Sequence, residues 1–307
     1  MDGWSARDIP DQSGRTAVVT GANSGLGYVT ARELARRGAR VVLGCRDATR
    51  GKAAEERVRA EAPGADVVFA PLDLADLASV RAFAEDLPAD RVDLLINNAG
   101  VMALPERRTV DGFEMQFGTN HLGHFALTGL LLERLREAGR GARVVSVSSN
   151  LHVLGTVDPR DLNMEHRYRR WTAYGRSKSA NLLFVHELSR RLAAEDSPVL
   201  AAAAHPGYAA TNLQTAGARM EERAWLEQLF ESLNRVAATS AEAGAVPMLY
   251  AATAAGVRQD DFFGPGRGPG RRGPSRAWRA PWTRDDRASA GLWAASQRMT
   301  GVTYRWR

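Results

Sequence analysis

Up to Ala203 the chain alternates short apolar, β-branched runs with longer stretches of helical periodicity, and few architectures accommodate that alternation. The apolar runs cover 16–20, 40–43, 66–70, 92–96, 143–147 and 198–203; helical spacing covers 25–37, 48–60, 77–86, 109–136 and 172–194. Strands covered on both faces read as continuous apolar runs, and amphipathic helices of this length supply the crossovers between parallel neighbours. Repeated β-α-β units with right-handed crossovers give one doubly wound parallel sheet in an α/β fold, with helices on both faces. Ligands then bind outside the carboxyl ends of the strands, so chemistry is sought just after each run.

Past residue 205 the pattern loosens. Helices are expected over 221–236 and 240–253, a short last strand over 261–263, and an irregular loop over the Gly/Pro-rich 264–274. A final helix over 284–299 would turn Ala288, Leu292, Trp293 and Met299 to one side. No linker is long enough to divide the chain. Residues 1–307 are therefore expected to form one domain: a polar extension (1–13), a core (14–207), and further helices with a basic tail (208–307). A chain of 307 residues can bury a core without disulfides or metal, and the lone Cys45 has neither a disulfide partner nor a zinc-ligand spacing. No metal is expected.

The first strand runs into Thr20-Gly21-Ala22-Asn23-Ser24-Gly25-Leu26-Gly27, with a helix behind it. Glycines there permit a tight turn and close approach to a phosphate, and the helix N-terminus supplies amide donors and a positive dipole end. A glycine-rich turn alone is weak evidence; its place in the first βα unit sharpens it. The spacing T-G-x-x-x-G-x-G resembles the short-chain dehydrogenase/reductase family, and two further matches follow in register. Asp73, in Pro71-Leu72-Asp73-Leu74, stands after the third strand, and Asn97-Asn98-Ala99-Gly100 stands after the fourth. The resemblance implies a Rossmann-type fold and a nicotinamide cofactor contacted by Gly21, Asn23, Ser24, Gly25, Leu26, Gly27, Asp73, Leu74, Asn98, Ala99 and Gly100. It also implies contacts from Pro206 and Gly207 in the turn after the sixth strand, and from Thr211.

Cofactor preference is set at the end of the second strand, which reads Leu43-Gly44-Cys45-Arg46-Asp47. An acid there would bond the ribose of NAD, whereas an arginine accommodates the 2′-phosphate of NADP. Cys45 stands about where NAD-preferring relatives carry their acid, and Arg46 follows with a fork suited to phosphate. NADP(H) is expected over NAD(H), with Asp47 read either as a mild objection or as a cap for the next helix.

Reduction of a carbonyl by hydride leaves an alkoxide that needs a proton, and the reverse reaction needs a base. Free tyrosine has a pKa near 10, and a neighbouring ammonium lowers it. Tyr174 and Lys178, four residues apart, share a helix face. The resemblance makes them the catalytic pair, assigns Lys178 to the nicotinamide ribose as well, and adds Ser149 as the group that, with Tyr174, holds the substrate oxygen. Ser148 is the alternative, and a strand-end serine is also an ordinary cap. Asn120, in Gly118-Thr119-Asn120-His121, matches the family's fourth catalytic residue, which links water to the lysine. His121, His124 and His205 are read as core or helix-surface histidines.

The resemblance extends over 14–307 and points to the retinol-dehydrogenase-like branch, through Cys45-Arg46-Asp47, Asn120-His121-Leu122-Gly123-His124-Phe125 and the 25-residue gap between Ser149 and Tyr174. The added stretch 152–171, with Tyr168 and Trp171, is expected to border the substrate pocket. A lipophilic aldehyde, ketone or alcohol is the expected substrate: retinoid, polyketide or terpenoid in type. Tyr208 is the nearest candidate contact beyond Gly207, and Leu213, Met220, Trp225, Leu229 and Phe230 read equally as pocket or core. Trp278, Trp282 and Trp293 read as a cover for the pocket mouth or as a subunit contact. The family commonly forms homodimers or homotetramers through the helices carrying Asn120 and Tyr174.

No apolar run approaches 18 residues, so no membrane anchor is expected and the chain reads as cytoplasmic. Residues 258–307 hold 11 arginines and four aspartates, a balance of +7 against +6 for the whole chain. Their scatter among Gly and Pro, without an RNA-binding aromatic signature, reads as a solvated surface with a few salt bridges, not a nucleic-acid footprint. Outside the enzyme reading stand a catalytically idle NADP sensor and a polyanion-binding protein.

Overall fold

The computed structural model describes residues 3–207, 240–266 and 273–306. Among them eight strands form one sheet: β1 (Thr16–Thr20), β2 (Arg40–Cys45), β3 (Val67–Pro71), β4 (Leu94–Asn97), β5 (Arg143–Val147), β6 (Leu200–Ala204), β7 (Phe262–Pro265) and β8 (Pro274–Arg276). Their order is β3-β2-β1-β4-β5-β6-β7-β8. The first seven are parallel, and β8 pairs antiparallel with β7 through Phe263–Arg276, Gly264–Ser275 and Pro265–Pro274. The stretch expected to be irregular over 264–274 thus has both ends in strands. Pro265 and Pro274 oppose each other at the end of this ladder that leads into the connecting segment, where a missing N–H is tolerated.

The helices are α1 (Gly25–Arg36), α2 (Ala48–Glu61), α3 (Leu77–Glu85), α4 (Met115–Phe117), α5 (Gly123–Ala138), α6 (Arg170–Ala194), α7 (Ala241–Thr253) and α8 (Asp286–Thr300). The pleat divides β1 between two cores. Ala17 and Val19 join Leu34 of α1, Val58 of α2 and Met248 of α7, while Val18 joins Phe83 of α3, Phe125 of α5 and Leu188 of α6. Complete burial of such side chains stabilises by about 1.5–3 kcal/mol each, so the alternation fixes which helices lie on which face.

Three expectations change. The continuous helix expected over 109–136 starts only at Met115, where the buried Glu114 carboxylate accepts the N–H groups of Gln116 and Phe117. Gly118–Leu122 is then a π turn in which the Gly123 N–H bonds the Gly118 carbonyl, an expansion that often marks a functional site. In α8 the buried side runs through Leu292, Trp293 and Ser296, and Ala288 is exposed. The extension is also held down, with Trp4 edge-on to Tyr250 of α7 and Ile9 inside the core.

The C-terminal end packs across α5 and α6. Trp293 stacks on Phe184 and meets Phe125 edge-on, and the Tyr304 hydroxyl donates to the Phe125 carbonyl at 2.7 Å. The basic tail departs from a solvated surface at Arg279. Its guanidinium is buried, 2.6 Å from the Asp260 carboxylate, and also donates to the Leu182 and Thr283 carbonyls.

Candidate active site

At the carboxyl end of β1 bare glycine backbone lets the loop after β4 pack directly against the turn. A Cβ on Gly27 would lie 2.4 Å from the Gly21 carbonyl oxygen and 2.5 Å from Asn98 Nδ2, and Gly21 itself sits at φ 66°. Thr20 organises the floor. Its hydroxyl accepts the N–H groups of Asn98 and Ala99, both at 2.9 Å, while Asn98 Nδ2 donates to the Thr20 carbonyl at 2.7 Å. The loop after β4 is thereby locked to the loop after β1. The first amides of α1 stand above, behind an exposed Ser24 whose side chain makes no cap bond. A narrow turn, the first amides of a helix and its positive dipole end fit the pyrophosphate of a dinucleotide.

Asn23, Gly25 and Leu26 are partly exposed around this turn. Arg46 is 74% exposed, and its Nε lies 3.9 Å from the Asp73 carboxylate, so two candidates from separate strands meet on one rim. Asp47 proves to be a cap, accepting the Arg50 N–H at 3.0 Å. Cys45 is buried under the loop, where its thiol is pushed up to about 11 and accepts backbone bonds from Ala22 and Asn23. The Leu74 side chain is buried in the core, and its backbone lies against Gly123. Pro206 and Gly207 are partly exposed after β6; Tyr208 and Thr211 lie outside the described residues, as does the helix expected over 221–236.

The second half of the site gathers four candidates from three elements. Tyr174 and Lys178 rise from α6, with Lys178 Nζ 5.7 Å from the Tyr174 ring centre and donating to the Val147 carbonyl at 3.1 Å. Ser149 follows β5; its hydroxyl bonds the Tyr174 phenol and accepts the Leu151 N–H at 3.1 Å. Ser148 is used otherwise: its buried hydroxyl donates to the Lys178 carbonyl at 2.9 Å. That contact separates the two serines and leaves Ser149 facing the tyrosine. Asn120 sits in the π turn, where Oδ1 accepts the Val101 N–H at 2.7 Å and Nδ2 donates to the Val101 carbonyl and Ser177 hydroxyl, each at 2.9 Å. A Cβ on Gly100 would lie 3.0 Å from Asn120 Oδ1 and 3.4 Å from Lys178 Nζ, so bare backbone is needed between them.

Burial sets the electrostatics. It pushes the Tyr174 phenol up to about 12, the opposite of the lowering expected from the neighbouring Lys178, with only a smaller opposing effect from Ser149, and brings Lys178 down to about 8. The same burial lowers His121 to about 3 and His124 to about 4, so both are neutral and belong to the packing, as expected from sequence. His124 nonetheless has a place in the site. Its Nδ1–H donates to the Asn120 carbonyl at 3.0 Å, and its Nε2 meets the Thr20 hydroxyl at 2.9 Å, joining the cofactor floor to the π turn. The sequence signal for it was the four-residue spacing from Asn120. Tyr168 braces the loop before α4 by donating to the Leu104 carbonyl at 2.8 Å, and Trp171 is exposed. Among the described residues no group of His, Cys, Asp or Glu could hold a metal ion.

A parallel sheet with a dinucleotide cradle beside a Ser-Tyr-Lys cluster defines a class, and the sequence comparison agrees with it. The short chain dehydrogenase family model matches residues 15–222, and the chain belongs to the short-chain dehydrogenase/reductase family of oxidoreductases, which use nicotinamide cofactors on alcohol and carbonyl groups. Its relatives put it in the retinol-dehydrogenase-like branch. It is 41% identical to human retinol dehydrogenase 12 over 297 residues, covering 95% of this chain and 88% of that one. Mouse retinol dehydrogenase 12 is 52% identical over a shorter match, 63% of this chain and 61% of that protein. Mouse polyprenol dehydrogenase is 42% identical over 300 residues, covering 96% and 86%. The crystal structure of an uncharacterized protein from Mycobacterium Paratuberculosis has a TM-score of 0.82 at 46% identity over 99% of both chains.

Proposed function

We propose that this chain is an NADP(H)-dependent oxidoreductase that interconverts an aldehyde or ketone with an alcohol on a lipophilic small molecule, with Tyr174 as the acid/base. The observation that carries the reading is the convergence of Asn120, Ser149, Tyr174 and Lys178 beside the glycine cradle. A bound nicotinamide cofactor supplies hydride in reduction and accepts it in oxidation. The hydroxyls of Ser149 and Tyr174 hold the substrate oxygen, and Tyr174 passes its proton to the oxygen as charge develops there. Lys178 supplies a buried positive charge on the same helix face and steadies the phenolate left behind. Asn120 keeps the π turn and the Val101 backbone in register with that lysine. The buried tyrosine excludes bulk water from the transfer.

Arg46 supports NADP(H) over NAD(H), because it is exposed on the rim, next to the position where an acid would favour NAD, and its long 3.9 Å pair with Asp73 leaves its fork within reach of a 2′-phosphate. Arg46→Asp should raise KM for NADPH by about tenfold or more, the worth of one or two bonds to a charged group, and change KM for NADH little. Steady-state kinetics with both cofactors check this; equal changes would remove the assignment.

The names of the relatives, retinol and polyprenol dehydrogenases, favour a long apolar substrate, and a retinoid, terpenoid or polyketide-type carbonyl fits this reading. A polyanion-binding role draws no support from Arg279, which is committed to Asp260. No helix among the described residues is long and apolar enough to cross a membrane, and cytoplasmic residence is part of the proposal. Because α8 lies across α5 and α6, we expect a monomer or an assembly built on another face.

A further inference from the structure

We propose that His152 is a positioning residue that sets Ser149 against the substrate oxygen and ties that setting to the C-terminal segment 277–283. The inference rests on the reading of Ser149 given above. His152 stands in the 3-10 turn Asn150–Leu154, directly after the serine, and its side chain is buried. Its two ring nitrogens have unambiguous roles. The Ala280 N–H reaches Nε2 at 3.1 Å and can only donate, so Nε2 is the acceptor. Nδ1 therefore carries the proton and donates it to the Ser149 carbonyl at 2.7 Å. One neutral tautomer satisfies both contacts, and burial lowers the pKa of the ring in the direction that keeps it neutral.

The ring is gripped from outside the turn. Phe262 of β7 meets it edge-on and Trp278 lies tilted over it, both with centroids 6.0 Å away. The main chain of the same residue is tied to the helix that carries the other catalytic groups, since the Ser179 hydroxyl donates to the His152 carbonyl at 2.8 Å. Trp282 Nε1 in turn donates to that hydroxyl at 3.4 Å, and Arg279 anchors the segment to Asp260 and to the Leu182 carbonyl. A chain of contacts thus runs from Arg279 and Ala280 through His152 to Ser149. The Ser149 hydroxyl is set by the Leu151 N–H and Tyr174; its backbone is set by His152. No atom of His152 needs to touch substrate for this role. Misplacing a reacting group by about 1 Å can cost on the order of 100-fold in rate, so a residue that fixes the serine's backbone should register in kcat.

The test compares Ser149→Ala, His152→Phe, the double variant, His152→Asn and His152→Gln in the full chain, reading kcat and KM for decanal reduction and Kd for NADPH. His152→Phe should lower kcat by about 10–100-fold with NADPH Kd unchanged. It should add little in the Ser149→Ala background, because the group it positions is gone. An Asn side chain places an amide N–H near the Nδ1 position, and Gln places one near Nε2. His152→Asn should therefore recover most of kcat and His152→Gln should not, a comparison that stands even if His152→Phe does not fold. Wild-type kcat in His152→Gln, or a full additional loss in the double variant, overturns the positioning role. Wild-type activity in Ser149→Ala instead overturns the reading of the serine, and with it the proposal.

Discussion

Tyr174→Phe is expected to lower kcat for carbonyl reduction by about 10²–10⁴-fold, the range a positioned proton donor contributes. The substitution removes one hydroxyl and keeps the ring among Met102, Ala103 and Leu151, so folding and NADPH affinity should persist. Direction of reaction gives a second reading of the same group. With its phenol pushed up to about 12, Tyr174 is loaded with a proton throughout the neutral range. Reduction uses that proton, so its rate should be nearly flat between roughly pH 6 and 8. Oxidation needs the phenolate, so its rate should climb by up to about tenfold per pH unit over the same interval. Toward the top of that interval Lys178, brought down to about 8 by burial, already loses part of the charge that favours the phenolate, so the climb should flatten there. An oxidation rate that falls from pH 6 to 8 would contradict the assignment.

Lys178→Met is expected to separate activity from stability. The Lys178 ammonium is buried with one described hydrogen bond, to the Val147 carbonyl, and burial brings its pKa from 10.5 down to about 8. At about 1.4 kcal/mol per unit, holding that ammonium inside costs on the order of 3 kcal/mol below pH 8. Methionine fills a similar volume without a charge, and the Val147 carbonyl keeps its bond from Asn181 Nδ2 at 3.1 Å. The variant should unfold at higher temperature while turnover is lost. The sign with pH is fixed by the depressed pKa. Between about 8 and 10.5 the unfolded wild type binds more protons than the folded form, so wild-type stability rises and the advantage of the variant fades. A variant less stable than wild type at neutral pH would show that Lys178 holds the fold together, not only the chemistry.

Much of this was legible in the sequence, and the places where it was not share a cause. The strands at 16–20 and 143–147 match β1 and β5 end to end because both are short apolar runs bounded by polar residues. Ser149, Tyr174, Lys178 and Asn120 could be named because the motifs around them resemble those of the short-chain dehydrogenase/reductase family. The π turn could not, because Gly118–Leu122 keeps helical spacing on both sides and only tertiary bonds from Asn120 to Val101 and Ser177 expand it. Arg279 read as one more solvated arginine because its partner Asp260 and the Leu182 carbonyl come together only through the fold. His152 was silent for the same reason: Ala280 is 128 residues away. Local pattern carries the scaffold; contacts that close over long loops carry the details of the site.

The most direct test of the central claim is transfer of label from NADPH deuterated at C4 of the nicotinamide, on either face, to decanal or all-trans-retinal. The account predicts deuterium on the carbinol carbon from one face only, in wild type, with turnover nearly abolished in Tyr174→Phe at the same NADPH occupancy. Alcohol formed without label from either face, or equal turnover in Tyr174→Phe, would contradict it.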